Sequence, residues 1–305
     1  MFKIKWLLFT LMISSLMFSC TNKDRPANKS GDETILTGSI QILVDESFKP
    51  IVEDQLYVFN SSYPDAKIEL IFKPEIELLN LFLNDSIRVG IMSRKLRADE
   101  AKFYLSKNIR IRENRFAIDG LAMISSNSNV DSNVTVEEII KTMKGEGGKI
   151  KSLVFDNPNS STVRYFKELA NVSVLPKVGV YALKSNPEVV KYVNDHPGSV
   201  GVVGINWIQE PSEDIEMLIP NIRVMGVKNL AGKSGSDNFY KPSQSNLALE
   251  LYPFTRNLYI INCQGRAGLG TGFASFLAGD RGQRIVLKSG LLPDSVPSRE
   301  VNIRK

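Results

Sequence analysis

Two periods of hydrophobicity take turns along this chain, and that alternation restricts its fold more than any other feature. Residues 39–44 (SIQILV) read as a strand. Residues 50–60 (PIVEDQLYVFN) have helical spacing, with Ile51, Val52, Leu56 and Phe59 able to share one face. Residues 67–72 alternate charged and apolar side chains, as a strand does, and 74–84 return to a helical pattern with proline at its start. A short strand follows at 88–92. The order resumes with a helix over 135–144, for which Thr135 is a cap with Glu137 and Glu138 behind it. A strand at 152–155, a helix at 162–170 and a strand at 199–204 come next. Residues 247–262 read as one extended apolar stretch, and two helices at 273–277 and 283–287 close the pattern. Strand and helix in alternation imply an α/β fold, a mainly parallel sheet with helices on its faces.

The N-terminus carries a different signal. Lys3 and Lys5 precede an apolar run from Trp6 to Phe18, which ends in Ser19-Cys20. That run is shorter than the roughly 20 residues needed to span a bilayer. It reads as a secretory signal over 1–19, with Cys20 as a lipidated first residue of the mature chain. Residues 20–36 are polar, with Pro26 and Gly31, and read as a flexible tether. The remaining cysteine, Cys263, follows an apolar strand and reads as a buried thiol.

Composition excludes several kinds of chemistry. A net charge of +5 is spread along the chain, without a dense basic run interleaved with aromatics, so nucleic acid is not an expected partner. The single histidine, His196, sits in the turn sequence Asn194-Asp195-His196-Pro197-Gly198 and reads as surface, not as a catalytic base. No zinc-type histidine and cysteine cluster and no acidic calcium loop is present in the sequence, and no cofactor or metal is expected. The glycine-rich segment 265–272 lacks the spacing of a dinucleotide fingerprint and the Gly-Lys of a phosphate loop, and reads as a connector opening a helix. Two strand-to-helix junctions remain, 45–50 (DESFKP) and 156–162 (DNPNSST). Hydroxyls beside the free N–H groups of a helix start suit a small anion, although the same residues serve as ordinary helix caps.

Several segments, in this order, are similar to the phosphate-type substrate-binding proteins of ABC transporters. They are Gly38 to Pro50, Tyr63-Pro64-Asp65-Ala66, Val89 to Arg94, Ala117 to Ala122, Asn159 to Thr162, Pro197 to Gly201, Tyr252 to Ile260 and Asp280 to Pro293. The resemblance implies a two-lobed type II periplasmic-binding-protein fold, each lobe a mainly parallel sheet flanked by helices. Lobe one is expected over 37–116 plus 251–305 and lobe two over 117–250. It implies a binding protein and no enzyme, held outside the cytoplasm on a membrane by Cys20, in periplasm or at the cell surface. Its expected partners are a small anion, phosphate first, and a transporter permease. Ser47 and Phe48 match binding positions of the first lobe, and Ser160, Ser161 and Thr162 those of the second, with Ser161 in place of a glycine. Ser93 ends the matching Ser-Arg strand.

Two positions depart from the family. Phosphate binders usually have aspartate where this chain has Arg88 and arginine where it has Asp156. Arg88 and Asp156 are therefore expected as ligand-binding residues, with charges swapped, facing each other across the cleft. Such a swap would relax selectivity for protonated phosphate, because arginine only donates hydrogen bonds. An accessory or sensor lipoprotein on the same fold is the main alternative. A carboxylate-dependent cell-wall enzyme is a further one, for which Glu46 and Glu75 are the candidate acids.

Overall fold

The computed structural model describes residues 33–296; the signal segment, Cys20 and the tether up to residue 32 lie outside them. The first part runs β1 (Gly38–Asp45), α1 (Lys49–Ser62), β2 (Ala66–Lys73), α2 (Glu75–Leu83), β3 (Val89–Met92), α3 (Ala98–Ser106) and β4 (Arg112–Ser126). A middle part follows with β5 (Asn133–Thr135), α4 (Val136–Lys144), β6 (Ser152–Phe155), α5 (Ser161–Ala170), β7 (Val180–Ala182), α6 (Asn186–Asp195) and β8 (Ser199–Gly204). The chain then forms α7 (Asn206–Gln209), α8 (Glu213–Glu216), β9 (Ile222–Val224), β10 (Gly226–Lys228) and α9 (Gln244–Ala248). It returns through β11 (Thr255–Asn262), α10 (Leu269–Ala278), α11 (Asp280–Lys288) and β12 (Leu292–Pro293).

One sheet carries these strands in the order β2-β1-β3-β11-β4-β8-β6-β7, with β9 and β12 also paired to β4. Its two ends are parallel: β2, β1 and β3 at one, and β8, β6 and β7 at the other. Between them β11 and β4 run antiparallel to each other and to the flanking strands. The 15 residues of β4 serve both ends, pairing with β11 through their first half and with β8 and β9 through their second. This is the α/β arrangement expected from the sequence, and it places helix-bearing loops at the C-terminal ends of both parallel sets, where such sheets bind ligands.

Local chemistry explains the element boundaries. Thr135 caps α4 through a reciprocal pair with Glu138, and the helix ends at Gly145 in the left-handed conformation (φ 74°). Ser160 caps α5 by accepting from the N–H of Val163 at 3.1 Å. The stretch expected to be extended over 247–262 is divided: Ser243 caps the short helix α9, the chain turns, and the strand begins only at Thr255. The hydroxyl of Ser243 and the positive φ of Glu250 (55°) outweigh the β-branched and aromatic composition there. Cys263 is buried just past β11, and its N–H donates to the carbonyl of Arg88 at 2.8 Å. His196 is exposed and stacks on Tyr192. Among the described residues no helix is long and apolar enough to cross a membrane.

Close packing of α6 on the sheet depends on Gly201 in β8. A Cβ added there would meet Val189 at 2.7 Å, Val193 at 2.8 Å and Ile124 at 3.0 Å. Gly201→Ala is expected to overpack this contact and cost about 1–3 kcal/mol, read as a lowered urea midpoint at unchanged slope.

Candidate functional site

The turn after β1 and the start of α5 meet, and their side chains interlock. Asp45 ends β1; its carboxylate accepts from the N–H of Ser47 at 3.0 Å and so shapes the turn that presents Ser47 and Phe48, both fully buried. Asp156 follows β6 and is likewise 0 % exposed. It accepts from Ser160 at 2.6 Å, from the amide of Asn186 at 3.2 Å and, from the other end of the sheet, from Ser47 at 3.3 Å. The carbonyl of Ser47 accepts from the indole N–H of Trp207 at 2.9 Å. Ser47, Phe48, Asp156, Ser160, Ser161 and Thr162 are thus brought together.

A residue that the sequence reading did not single out lies among them. Arg256, on β11 and 5 % exposed, pairs with Asp119 on β4 at 2.9 Å. Its Nη1 donates to the hydroxyls of Ser161 at 2.9 Å and Thr162 at 3.2 Å. Its guanidinium lies 4.5 Å from the centroid of the Phe48 ring. In the strand pattern Arg256, Leu258 and Ile260 share the buried face, so a charge in an apolar phase was the available signal.

Arg88 stands apart. It forms two hydrogen bonds to Asp85, at 2.6 and 2.8 Å, and Lys107 joins the same carboxylate at 3.1 Å. It lines a surface cavity with Ser39 and Gln41 at the N-terminal ends of the strands. Asp156 and Ser47 lie beyond C-terminal ends, and β3 alone separates the two levels by about 13 Å at the usual rise of a strand. The expected facing of Arg88 and Asp156 is therefore absent; Arg256 supplies the cation near Asp156. Ser93 is in a neighbouring cluster, donating to Glu75 at 3.0 Å and accepting from Arg164 at 2.7 Å. Glu75 is held by Arg164 through bonds of 2.5 and 3.1 Å, which tie α2 to α5. A cavity of about 710 Å³ opens here, lined by Arg94, Arg97, Arg164, Lys167 and Ser160.

The buried carboxyls titrate out of their ordinary range. Burial pushes Asp45 up to about 6, against the pull of Arg256. Burial, reinforced by Asp156 and Asp45, pushes Glu46 up to about 7. Asp156 is also raised by burial, while its bond from Ser160 opposes the shift. Glu46 is only partly buried, whereas Glu75 is an ion-paired strut.

Because Arg256 is buried, removing it strands Asp119. Arg256→Met is expected to lose about 3–5 kcal/mol in chemical denaturation, and Arg256→Met with Asp119→Leu to regain most of that loss.

With this geometry in place, the similarities to known proteins are specific. The chain is 24 % identical over 303 residues to the phosphate-binding protein PstS of Borreliella burgdorferi, covering 94 % of this chain and 97 % of that protein. A putative phosphate ABC transporter substrate-binding protein with bound phosphate, from Clostridium perfringens, superposes with a TM-score of 0.69 at 18 % identity. That match covers 85 % of this chain and 100 % of the other. An ABC-type phosphate transport receptor from Vibrio cholerae gives 0.62 at 18 % identity, over 84 % and 100 %. These structures have the two-lobed type II periplasmic-binding-protein fold expected from the sequence. Residues 29–281 match the family described as the PBP superfamily domain, and the chain belongs to that superfamily.

Proposed function

We propose that this chain is the extracytoplasmic binding protein of an ABC transporter, capturing phosphate between two lobes and handing it to the permease. The observation that carries the reading is the convergence of hydroxyls from two strand ends, Ser47 and Ser160 on Asp156 and Ser161 and Thr162 on Arg256. Hydroxyls, free N–H groups at the start of α5 and a guanidinium are the groups that hold a small oxyanion. The relatives named for phosphate binding point to the same ligand. The basic cavity beside Ser160 would draw an anion toward the site.

In this reading the lobes are 37–116 plus 251–305 and 117–250, and closure is a hinge motion of the crossing strands β4 and β11. Cys20 carries lipid, and the tether of residues 20–36 lets the body reach the transporter. The cargo is not transformed: the site residues bind and release it.

Phosphate, sulfate, molybdate and a simple phosphate ester, each titrated against the melting temperature of the purified protein, test the ligand. Phosphate is expected to add about 3 kcal/mol of stability at a hundredfold excess over its dissociation constant. Ser161→Asp should abolish the shift, since it places a negative charge against the anion. No shift with any of these anions would sink the phosphate reading. For the anchor, Cys20→Ala is expected to move the protein from the membrane to the soluble fraction; unchanged membrane association would overturn lipidation there.

A further inference from the structure

Carboxyls at this site outnumber the cations that face them. Asp45, Asp119 and Asp156 gather around Arg256, Asp119 already pairs with that guanidinium, and Glu46 lies beside Asp45 and Asp156. Asp45 and Asp156 share what remains of its charge, and the cation acting on Glu46 is Lys73. Their hydrogen bonding is incomplete, and mostly on the acceptor side: Nη2 of Arg256 is the one donor there without a hydrogen-bond partner, and it lies against Asp119. Asp45 is 0 % exposed, yet its Oδ2 has no hydrogen-bond partner, and Oε1 of Glu46 is also buried without one. Asn186 and Asn206, both buried beside Asp156 and Ser47, each leave Oδ1 unpartnered. Four unpartnered acceptors thus stand against that single donor. The hydroxyls of Ser47 and Ser160 already donate hydrogen bonds to Asp156.

A fully ionised oxyanion can only accept hydrogen bonds. It would meet like charge and unpartnered oxygens, and buried acceptors without donors are costly. A protonated carboxyl changes both conditions, since it removes one charge and turns an acceptor into a donor. We propose that this site takes up phosphate together with protons on Asp45 and Glu46, whose O–H groups then donate to the anion. The inference rests on the phosphate reading above and adds the proton to it.

The surroundings support such a coupling. Asp45 is faced by Arg256 from β11, by Glu75 from α2, by the Ser161 hydroxyl of α5 and by the N–H of Ser47, and burial, with Glu75, outweighs the three that favour ionisation. Glu46 is faced by Asp156 after β6, by Asp45, by Glu77 from α2 and by Lys73 from β2; burial and the three carboxylates outweigh the lysine. Burial thus moves both carboxyls toward their protonated forms, the direction in which an arriving anion would move them further.

Calorimetric titration of phosphate into the protein, from about pH 5.5 to about pH 8.5 in buffers of different ionisation enthalpy, counts the protons taken up. The expected result is net uptake near neutrality, and an affinity that falls about tenfold per pH unit for each coupled proton. Phosphate itself titrates in this range, so the carboxyls are isolated by Asp45→Asn and Glu46→Gln, which supply an N–H donor without a proton from solvent. Each is expected to flatten the profile, and the pair to bind phosphate at about pH 8 as tightly as the unsubstituted protein does at about pH 6. If the variants keep the full wild-type slope, the proton belongs to phosphate and the inference fails while phosphate capture stands. If neither the wild type nor any variant binds phosphate at any pH, both fail. Should Asp45→Asn not fold, Glu46→Gln and the wild-type proton count decide the question.

Discussion

The site is organised around one guanidinium. Arg256 and Asp119 are direct partners in the ladder between β11 and β4, the two antiparallel strands that lie between the parallel ends of the sheet. A charge buried there is tolerable only if paired and hydrogen-bonded. Arginine meets that demand with a planar fork: one edge serves Asp119, Nη1 serves Ser161 and Thr162, and the flat face covers Phe48. Lysine, a single point of charge, would not hold those positions at once. The turn after β1 and the start of α5 are thereby set against the same side chain. Their hydroxyls consequently meet at fixed distances, although they lie more than a hundred residues apart.

Asp156 sets the second constraint. In the resemblance drawn from the sequence, its position belongs to an arginine, which would offer donors. Here a carboxylate accepts from Ser47, Ser160 and Asn186, and it links the two ends of the sheet as a bound anion would. Two effects compete at that group. Burial disfavours its charge, whereas the hydroxyls and Arg256 favour it. Burial is the larger, so the carboxyl is raised despite three side-chain donors. The cluster therefore stores negative charge under strain from desolvation, and anything that neutralises that charge relieves it.

Much of the fold was legible because strands and helices differ in period. The strand at 199–204 and the helix capped by Thr135 fall where their residues place them. Helices α3 and α6 were harder to see, since only part of their turns is apolar; α6 is marked mainly by the Ser185 cap and Pro187. In the site, Ser47 and Ser160 to Thr162 were readable as cap-like junctions. Arg88 was not, because local sequence aligns a residue to a strand without saying which end of that strand bears the ligand. Its own Asp85, three residues earlier, satisfies it at the N-terminal end. Arg256 and Asp119 were missed for a different reason. Each is a lone charge within an apolar run, and the partner that makes it tolerable lies 137 residues away, across the ladder.

Charge is distributed unequally between the approach and the interior. The cavity beside Ser160 is lined by Arg94, Arg97, Arg164 and Lys167, with Glu75, Glu100 and Glu168 interspersed and partly spent on these cations. Deeper in, the carboxyls Asp45, Glu46 and Asp156 outnumber their cations, and burial favours their neutral forms. A basic approach raises the encounter rate of any small anion and is screened by salt. An acidic, desolvated interior acts later and is screened far less, admitting only a species whose protons or donors offset the excess. On the proposed reading, attraction at this cavity would set how often anions arrive. On the same reading discrimination would rest with the interior carboxyls, and replacing an arginine of the cavity should alter salt dependence without altering which anion is preferred.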